Sequence, residues 1–206
     1  FVNPGTPLRS VLTDEAVRQL TRIAAPENRV PLAEIVTEKS LVNGMVGLLA
    51  SGGSTNHTIH LIAMARACGV ILNWDDLSDL SEVVPLLSRI YPNGAADVNH
   101  FHAAGGMPFL IRELRAAGLV HDDVATIMGR SGLAPYTRLP ALDAGDLLAT
   151  SAGRFSWQES APESGDDSVL RCAEQPFQND GGLKLLQGNL GRAVIKASAV
   201  KPELRR

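Results

Sequence analysis

The residues best suited to chemistry lie in one short stretch, SGGSTNH, at positions 51–57. Two glycines let the backbone approach a ligand, and a helix that begins after them offers N–H groups and a partial positive charge to an anion. On this interpretation Gly53, Ser54, Thr55, Asn56 and His57 bind a carboxylate or phosphate. A capped helix after a tight turn explains the same residues, so both interpretations stay open. The GK[ST] ending of a Walker loop is absent.

Two pairs of histidines are the next candidates. His57 and His60 stand three residues apart and share a face of a predicted helix, but HTIH lacks the i, i+4 spacing and the Glu of a zinc protease. His100 and His102 could reach a ligand from a loop, and a polar surface turn explains them equally well. The spacing therefore predicts no metal site.

The other reactive or charged residues fit structural roles. Cys68, at a predicted helix end, and Cys172, in a predicted strand, are expected to be inert packing residues. The acidic residues within 75–82 are typical of a solvated helix face with carboxylates near its N-terminus. Residues 187–191 have the composition of a turn.

Helices and strands that alternate along the chain must position these residues. Apolar residues at helical spacing predict helices over 13–24, 40–50, 54–68, 75–82 and 98–119, the last broken at the two glycines 105 and 106. Thr13 and Asn73 are expected to cap helix starts, and Gly69 to end one. Short apolar runs favour strands at 85–90, 124–128, 169–173, 181–186 and 193–195, although periodicity alone leaves the first two ambiguous. The alternation predicts an α/β fold with layers of both.

The composition changes after Pro135. The stretch 145–167 is rich in Ser, Gly, Ala and acidic residues, which is typical of a loop or linker. We therefore expect an α/β domain over 1–150, a linker over 151–167 and the incomplete start of a β-rich domain over 168–206. The final piece, about 40 residues, is close to the size below which a domain seldom folds unaided.

Charge and composition exclude several classes of protein. The chain has 19 Lys and Arg against 22 Asp and Glu, so it has no broad cationic surface for nucleic acid. No apolar run approaches the ~20 residues of a membrane span. Two cysteines are too few for a disulfide scaffold or a four-thiolate metal site, which favours a cytoplasmic protein. The start at Phe1, without Met or targeting peptide, indicates a segment excised from a longer protein.

Three stretches together resemble the dihydroxy-acid and sugar-acid dehydratase family. They are GLLASGGSTNHTIHLIAMARACGV, NWDDLSDLSEVVPLLSRIYPNGAADVNHFHAAGGMPFLIRELRAAGLVHDDV and QPFQNDGGLKLLQGNLGRAVIKASAV. The resemblance extends from Phe1 to about Pro202 and is weakest over 130–167. NHTIHL and IYPNGAADVNHFHAAGG resemble the phosphorylated sugar-acid branch more than the branched-chain amino-acid branch.

The resemblance implies a cytoplasmic, homodimeric hydro-lyase. Its reaction would convert 6-phospho-D-gluconate to 2-dehydro-3-deoxy-6-phosphogluconate in the Entner-Doudoroff pathway. It also implies a 4Fe-4S cluster whose iron acts as a Lewis acid on the departing hydroxyl, and a divalent ion, typically Mg²⁺, that helps hold the substrate carboxylate. For the fold it implies the C-terminal part of a cluster-bearing α/β/α domain, followed by the first strands of a barrel-like domain.

The same resemblance places the main catalytic groups outside this chain. The family's cluster cysteines lie in upstream motifs that contain neither Cys68 nor Cys172, and its acidic metal ligand and serine base lie downstream. We therefore expect no catalytic residue and no metal ligand here, and an isolated chain that is inactive and cluster-free.

With the family in view, substrate binding by 53–57 is favoured over capping alone. His57 is expected to orient a substrate oxygen without an acid-base role, and loop 92–108 to contact a phosphate. The alternatives are a dehydratase of another sugar acid or of 2,3-dihydroxy acids, and a non-catalytic scaffold or dimer-interface segment.

Overall fold

Seven α-helices precede four short β-strands in the part of the chain that the computed structural model describes, residues 2–142 and 155–204. The helices are α1 (Pro7–Ala24), α2 (Leu32–Ile35), α3 (Glu38–Ser51), α4 (Asn56–Ala67), α5 (Trp74–Val83), α6 (Val98–Ala103) and α7 (Gly106–Ala116). The strands are β1 (Arg138–Leu142), β2 (Phe155–Glu159), β3 (Leu183–Gly188) and β4 (Gly191–Lys196). The mixed α/β class predicted from the sequence is confirmed.

Helix α3 carries most of the core on one element. The Thr37 hydroxyl accepts the Ser40 N–H and the Ser40 hydroxyl accepts the Thr37 N–H, a capping box that fixes the first turn. Met45 and Leu49 are fully buried against Phe109 of α7, in one cluster that also includes residues of the C-terminal part of the chain. Because α3 is buried on several sides, it is a fixed support for the segment that follows it.

The helix ends agree with the capping residues in most places. Asn73 accepts backbone N–H bonds at the start of α5, and Gly69 follows α4 in the left-handed conformation, as predicted. The prediction for the first helix was wrong at its start. α1 begins at Pro7 with Thr6 as its cap, while the Thr13 hydroxyl donates to the Arg9 carbonyl inside the helix. Proline at the first helical position lacks the N–H that would be unpaired there, and this favours the earlier start.

The two sheets are both two-stranded and antiparallel. β1 pairs with β2 with Arg138 opposite Glu159, and β3 pairs with β4 around a two-residue turn between Gly188 and Gly191. The turn predicted at 187–191 is confirmed. β2 falls within the stretch 145–167, where a loop was expected. Residues 143–154, which include the first part of that stretch and of the predicted linker, lie outside the described residues.

Three of the predicted strands are replaced by isolated backbone pairs. Residues 85–90 and 169–178 contact each other through single bridges, Leu86 with Gln178 and Ser88 with Leu170. The run 124–128 forms a turn instead, in which the Thr126 and Gly129 backbones exchange hydrogen bonds. Apolar residues are buried in all three runs because they fill the core, so burial alone did not identify a regular strand.

The β3–β4 hairpin is attached to the helices through α5. The Gly181 N–H donates to the Ser81 carbonyl at 2.7 Å, and the Leu183 N–H donates to the buried Ser81 hydroxyl at 3.1 Å. Leu183 itself belongs to the same buried cluster as α3 and α7. The hairpin therefore lies against α5, while the domain division near 150–167 stays a prediction. No helix among the described residues is long and apolar enough to cross a bilayer.

Candidate functional site

The candidate segment 53–57 forms the connection into α4 and its first turn. The Asn56 N–H donates to the Ser54 hydroxyl at 3.2 Å, the His57 N–H to the Ser54 carbonyl at 3.0 Å, and the Thr58 N–H to the carbonyl three residues earlier at 3.1 Å. These bonds tighten the turn and use N–H groups that a helix start otherwise leaves open. The expectation that the helix start offers its N–H groups to a ligand was therefore wrong for these three amides, and a ligand must use other groups of the segment, such as its side chains.

Side chains from distant parts of the chain fix the two glycines before this turn. Lys196 of β4 lies 143 residues from Gly53, and its Nζ donates to the carbonyl oxygens of Gly52 and Gly53, the second at 2.7 Å. Burial lowers the pKa of Lys196. Asn93 Nδ2 also donates to the Gly52 carbonyl at 3.3 Å, and the Ser198 hydroxyl donates to Asn93 Oδ1 at 3.2 Å. The segment is thus held in one conformation by a cation and an amide.

A cavity of about 320 Å³ lies between the start of α4 and the β3–β4 hairpin. Its volume is at the lower end of the range of small-molecule sites. Thr55 and Asn56, two of the candidate residues, lie on its wall. The other lining residues come from α4, from the start of α5 and from the hairpin: Thr58, Ile59, Trp74, Leu185, Arg192, Ala193 and Val194. The cavity therefore combines hydroxyl and amide groups, one guanidinium and an apolar wall.

His57 lies on a different face of α4. Together with His60 it lines a groove of about 490 Å³ between α3, α4 and α7, whose other lining residues are mostly apolar. Successive helical residues are rotated by about 100°, so His57 and Asn56 point in different directions. The structure confirms that His57 and His60 share a face, and it separates His57 from the cavity that contains Thr55 and Asn56.

The second histidine pair has a structural explanation. The Asp97 carboxylate accepts the His100 N–H at 3.1 Å and the Asn99 N–H at 2.8 Å, and the His100 ring lies 2.8 Å from Asp97 Oδ1. The backbone and ring of His100, followed by the backbone of Asn99, lower the pKa of Asp97 to about 2. His100 therefore serves the first turn of α6, and burial lowers the pKa of His102 on the same helix.

The cysteines and acidic residues form no metal site in the described part of the chain. Within residues 2–142 and 155–204, no three or more His, Cys, Asp or Glu residues lie close enough together to hold an ion. Cys68 is exposed at the end of α4, so the packing role predicted for it was wrong. Cys172 lies partly buried against the core, outside any regular strand, which corrects its predicted place in one.

The residues that sequence reasoning missed come from β4 and from the start of α5. Arg192, Val194 and Lys196 alternate along β4, so they share one face of the strand. Arg192 and Val194 reach the cavity, and Lys196 reaches the glycine carbonyls. The alternation in GRAVIK was a readable signal, but the sequence did not reveal which element this face would meet.

A family model described as "Dihydroxy-acid/6-phosphogluconate dehydratase N-terminal" matches residues 1–134. Phosphogluconate dehydratase from Pseudomonas aeruginosa is 57% identical over 205 residues, which are 98% of this chain and 32% of that protein. Phosphogluconate dehydratase from Escherichia coli K12 is 55% identical over 204 residues, again 98% of this chain and 32% of the relative.

A dihydroxy-acid dehydratase, from Caldanaerobacter subterraneus subsp. tengcongensis, is a more distant relative. It is 33% identical over 182 residues, which are 87% of this chain and 29% of that protein. The chain thus spans about a third of the length of these relatives.

Proposed function

Because this chain belongs to the dihydroxy-acid/6-phosphogluconate dehydratase family, we propose that it forms part of a hydro-lyase that dehydrates 6-phospho-D-gluconate to 2-dehydro-3-deoxy-6-phosphogluconate. The observation that carries this proposal is the identity of 55 to 57% with phosphogluconate dehydratases over 98% of the chain. The dihydroxy-acid dehydratase is only 33% identical. A phosphorylated sugar acid is therefore preferred to a 2,3-dihydroxy acid or another sugar acid.

The cavity beside α4 supplies a place for part of this substrate. Thr55 and Asn56 offer a hydroxyl and a carboxamide, which suit the several hydroxyl groups of a sugar acid. Gly53 and Ser54 shape the turn that presents them. His57 lies in the neighbouring groove, so we assign the substrate contacts to Thr55 and Asn56 first.

The described residues do not fit the iron-sulfur cluster or the Mg²⁺ that the family resemblance implies. They contain two free cysteines, one of them exposed, and no cluster of potential metal ligands. We propose that both groups, with the acid-base residues, are held outside this chain. Iron and sulfide analysis of the 206-residue chain should find no stoichiometric cluster, and a cluster bound to it would contradict this assignment.

The cytoplasmic location and the homodimer are proposals of the same kind, supported by the family resemblance. Exposed apolar residues on α1, such as Val17 and Leu20, favour a role of this segment in contacts between subunits or domains. Native mass measurement of the complete protein that contains this chain should give twice the mass of one subunit.

The substrate proposal is tested by turnover of the complete protein. Formation of 2-dehydro-3-deoxy-6-phosphogluconate from 6-phosphogluconate should exceed turnover of 2,3-dihydroxy acids and of unphosphorylated gluconate. Asn56→Ala should raise KM or lower kcat several-fold, because the carboxamide that contacts the substrate is lost. The lost hydrogen bond corresponds to about 1 kcal/mol or more of binding free energy. Asn28→Ala, an exposed asparagine far from the cavity in sequence, is the control. Unchanged kinetics in Asn56→Ala would contradict the substrate contact and leave the turn with only a structural role.

A further inference from the structure

Two cationic side chains on one face of β4, Arg192 and Lys196, lie near the start of α4, and they contact different groups. Lys196 Nζ donates hydrogen bonds to the carbonyl oxygens of Gly52 and Gly53, so its role is to hold the turn. Arg192 lines the cavity itself. Its Nη2 pairs with Asp75 Oδ1, and within residues 2–142 and 155–204 this carboxylate is the one acceptor that the guanidinium contacts. Several of its N–H donors are therefore available to a ligand.

The surroundings of Arg192 favour an anionic ligand that approaches from the cavity. The side chain of Arg192 is 43% exposed, and the Thr55 hydroxyl and the Asn56 carboxamide share the same wall. A guanidinium presents donors in a planar fork that matches phosphate or carboxylate oxygens. Asp75 competes for this fork with a single negative charge, so a dianion is the better competitor.

Charge distinguishes between the two anionic ends of a phosphorylated sugar acid. The carboxylate carries one negative charge, whereas the phosphate carries close to two at neutral pH. Among the described residues that line the cavity, Arg192 is the one charged side chain, beside threonine, asparagine, tryptophan and aliphatic residues. A dianion displaces Asp75 from the guanidinium more readily than a single carboxylate does, so the cavity suits the phosphate.

We propose that Arg192 binds the phosphate of the phosphorylated sugar acid in the cavity between α4 and the β3–β4 hairpin, and so determines specificity for phosphorylated substrates. This inference rests on the proposed function. It differs from the expectation that loop 92–108 contacts a phosphate, because no described residue of 92–108 lines this cavity and Asn93 donates instead to the Gly52 carbonyl.

The test uses the complete protein and four variants. Arg192→Gln removes the charge, Arg192→Lys keeps the charge without the fork, and Asp75→Asn removes the competing carboxylate. Arg138→Gln is the matched control. Arg138 is 45% exposed, and its Nε lies 3.0 Å from Glu159 Oε1, in an ion pair that does not line the cavity. The readouts are KM and kcat for 6-phosphogluconate, the inhibition constant of inorganic phosphate, and phosphate binding by calorimetry.

Arg192→Gln should raise KM and the phosphate inhibition constant by about tenfold or more, as for loss of a charge-assisted hydrogen bond, with kcat nearly unchanged. Arg192→Lys should recover part of the loss. Asp75→Asn should bind phosphate more tightly than the unmodified protein. A purely structural ion pair predicts the opposite, namely equal damage from Arg192→Gln and Asp75→Asn, and that result would overturn the inference.

Two other results would also overturn it, and each is distinguishable from failure of the proposed function. If KM rises in Arg192→Gln but phosphate inhibition is unchanged, Arg192 contacts the carboxylate end instead. If turnover is normal and phosphate binding is the same in all variants, Arg192 binds no anion. If the complete protein does not dehydrate 6-phosphogluconate, the proposed function fails, while calorimetry with inorganic phosphate still decides whether Arg192 forms an anion site.

Discussion

Gly52 is the position at which a single added methyl group should most disturb the candidate site. It ends α3 with φ of 61°, in the left-handed region that side chains other than glycine rarely adopt. A Cβ atom placed there would lie 2.1 Å from Asn93 Nδ2 and 3.0 Å from Leu86 Cδ1. Asn93 must therefore move away from the Gly52 carbonyl in a Gly52→Ala variant.

The cost of this substitution has two parts. The left-handed conformation costs an alanine roughly 1 kcal/mol. Displacing Asn93 breaks its hydrogen bonds with the Gly52 carbonyl and the Ser198 hydroxyl, at about 0.5–1.5 kcal/mol each. The free energy of unfolding of Gly52→Ala should therefore fall by about 2–4 kcal/mol. Gly69→Ala should lose only about 1 kcal/mol, because Gly69 has φ of 78° but no atom within 4 Å of an added Cβ.

Urea denaturation followed by circular dichroism measures these differences. Asn93→Ala should reduce the cost of Gly52→Ala to nearly that of Gly69→Ala, because the clashing amide is gone, which gives a coupling of about 1–3 kcal/mol in the double-mutant cycle. If Gly52→Ala and Gly69→Ala destabilise equally, or if the two substitutions at 52 and 93 are additive, the packing of Asn93 against Gly52 is not as described.

Two further predictions concern the core and the response to pH. Phe109→Ala should lower the free energy of unfolding by about 3–5 kcal/mol through cavity formation, whereas Met107→Ala, on the same helix but 44% exposed, should change it by less than about 0.5 kcal/mol. Because His100 and Asn99 lower the pKa of Asp97 from 3.8 to about 2, this carboxylate stabilises the fold fully above pH 4 and loses that contribution as the pH falls toward 2. An NMR titration of Asp97 checks this, and a midpoint near 4 would contradict it.

Much of the helical part of the fold could be predicted from local signals. The Asn73 cap, the left-handed Gly69 and the break at Gly105 all depend on contacts within four residues, so they were readable in the sequence. The start of α1 was not predicted correctly, because both Thr6 and Thr13 satisfy the capping pattern and only the proline after Thr6 distinguishes them. The apolar runs at 85–90 and 124–128 signalled burial but not strand pairing.

The candidate site also has one part that could be predicted from local sequence and another part that could not. Its segment, 53–57, was singled out from residue types alone, because glycines and short polar residues before a helix suit either an anion site or a helix cap. Its substrate-binding role stays a prediction. Its partners could not be found this way, since nothing local in the sequence connects Arg192 or Trp74 with Asn56.

The sequence by itself determined the resemblance to one dehydratase family, now supported by a family model over residues 1–134, and the positions of most helix ends. These features are written in short patterns of residues. Only the tertiary structure decided that Thr55 and Asn56 line one cavity while His57 lines another, and that Lys196, 143 residues from Gly53, fixes the turn between α3 and α4. The physical reason is that the rotation of a helix against its neighbours and the placement of a hairpin depend on the packing of the whole core, which no local pattern contains.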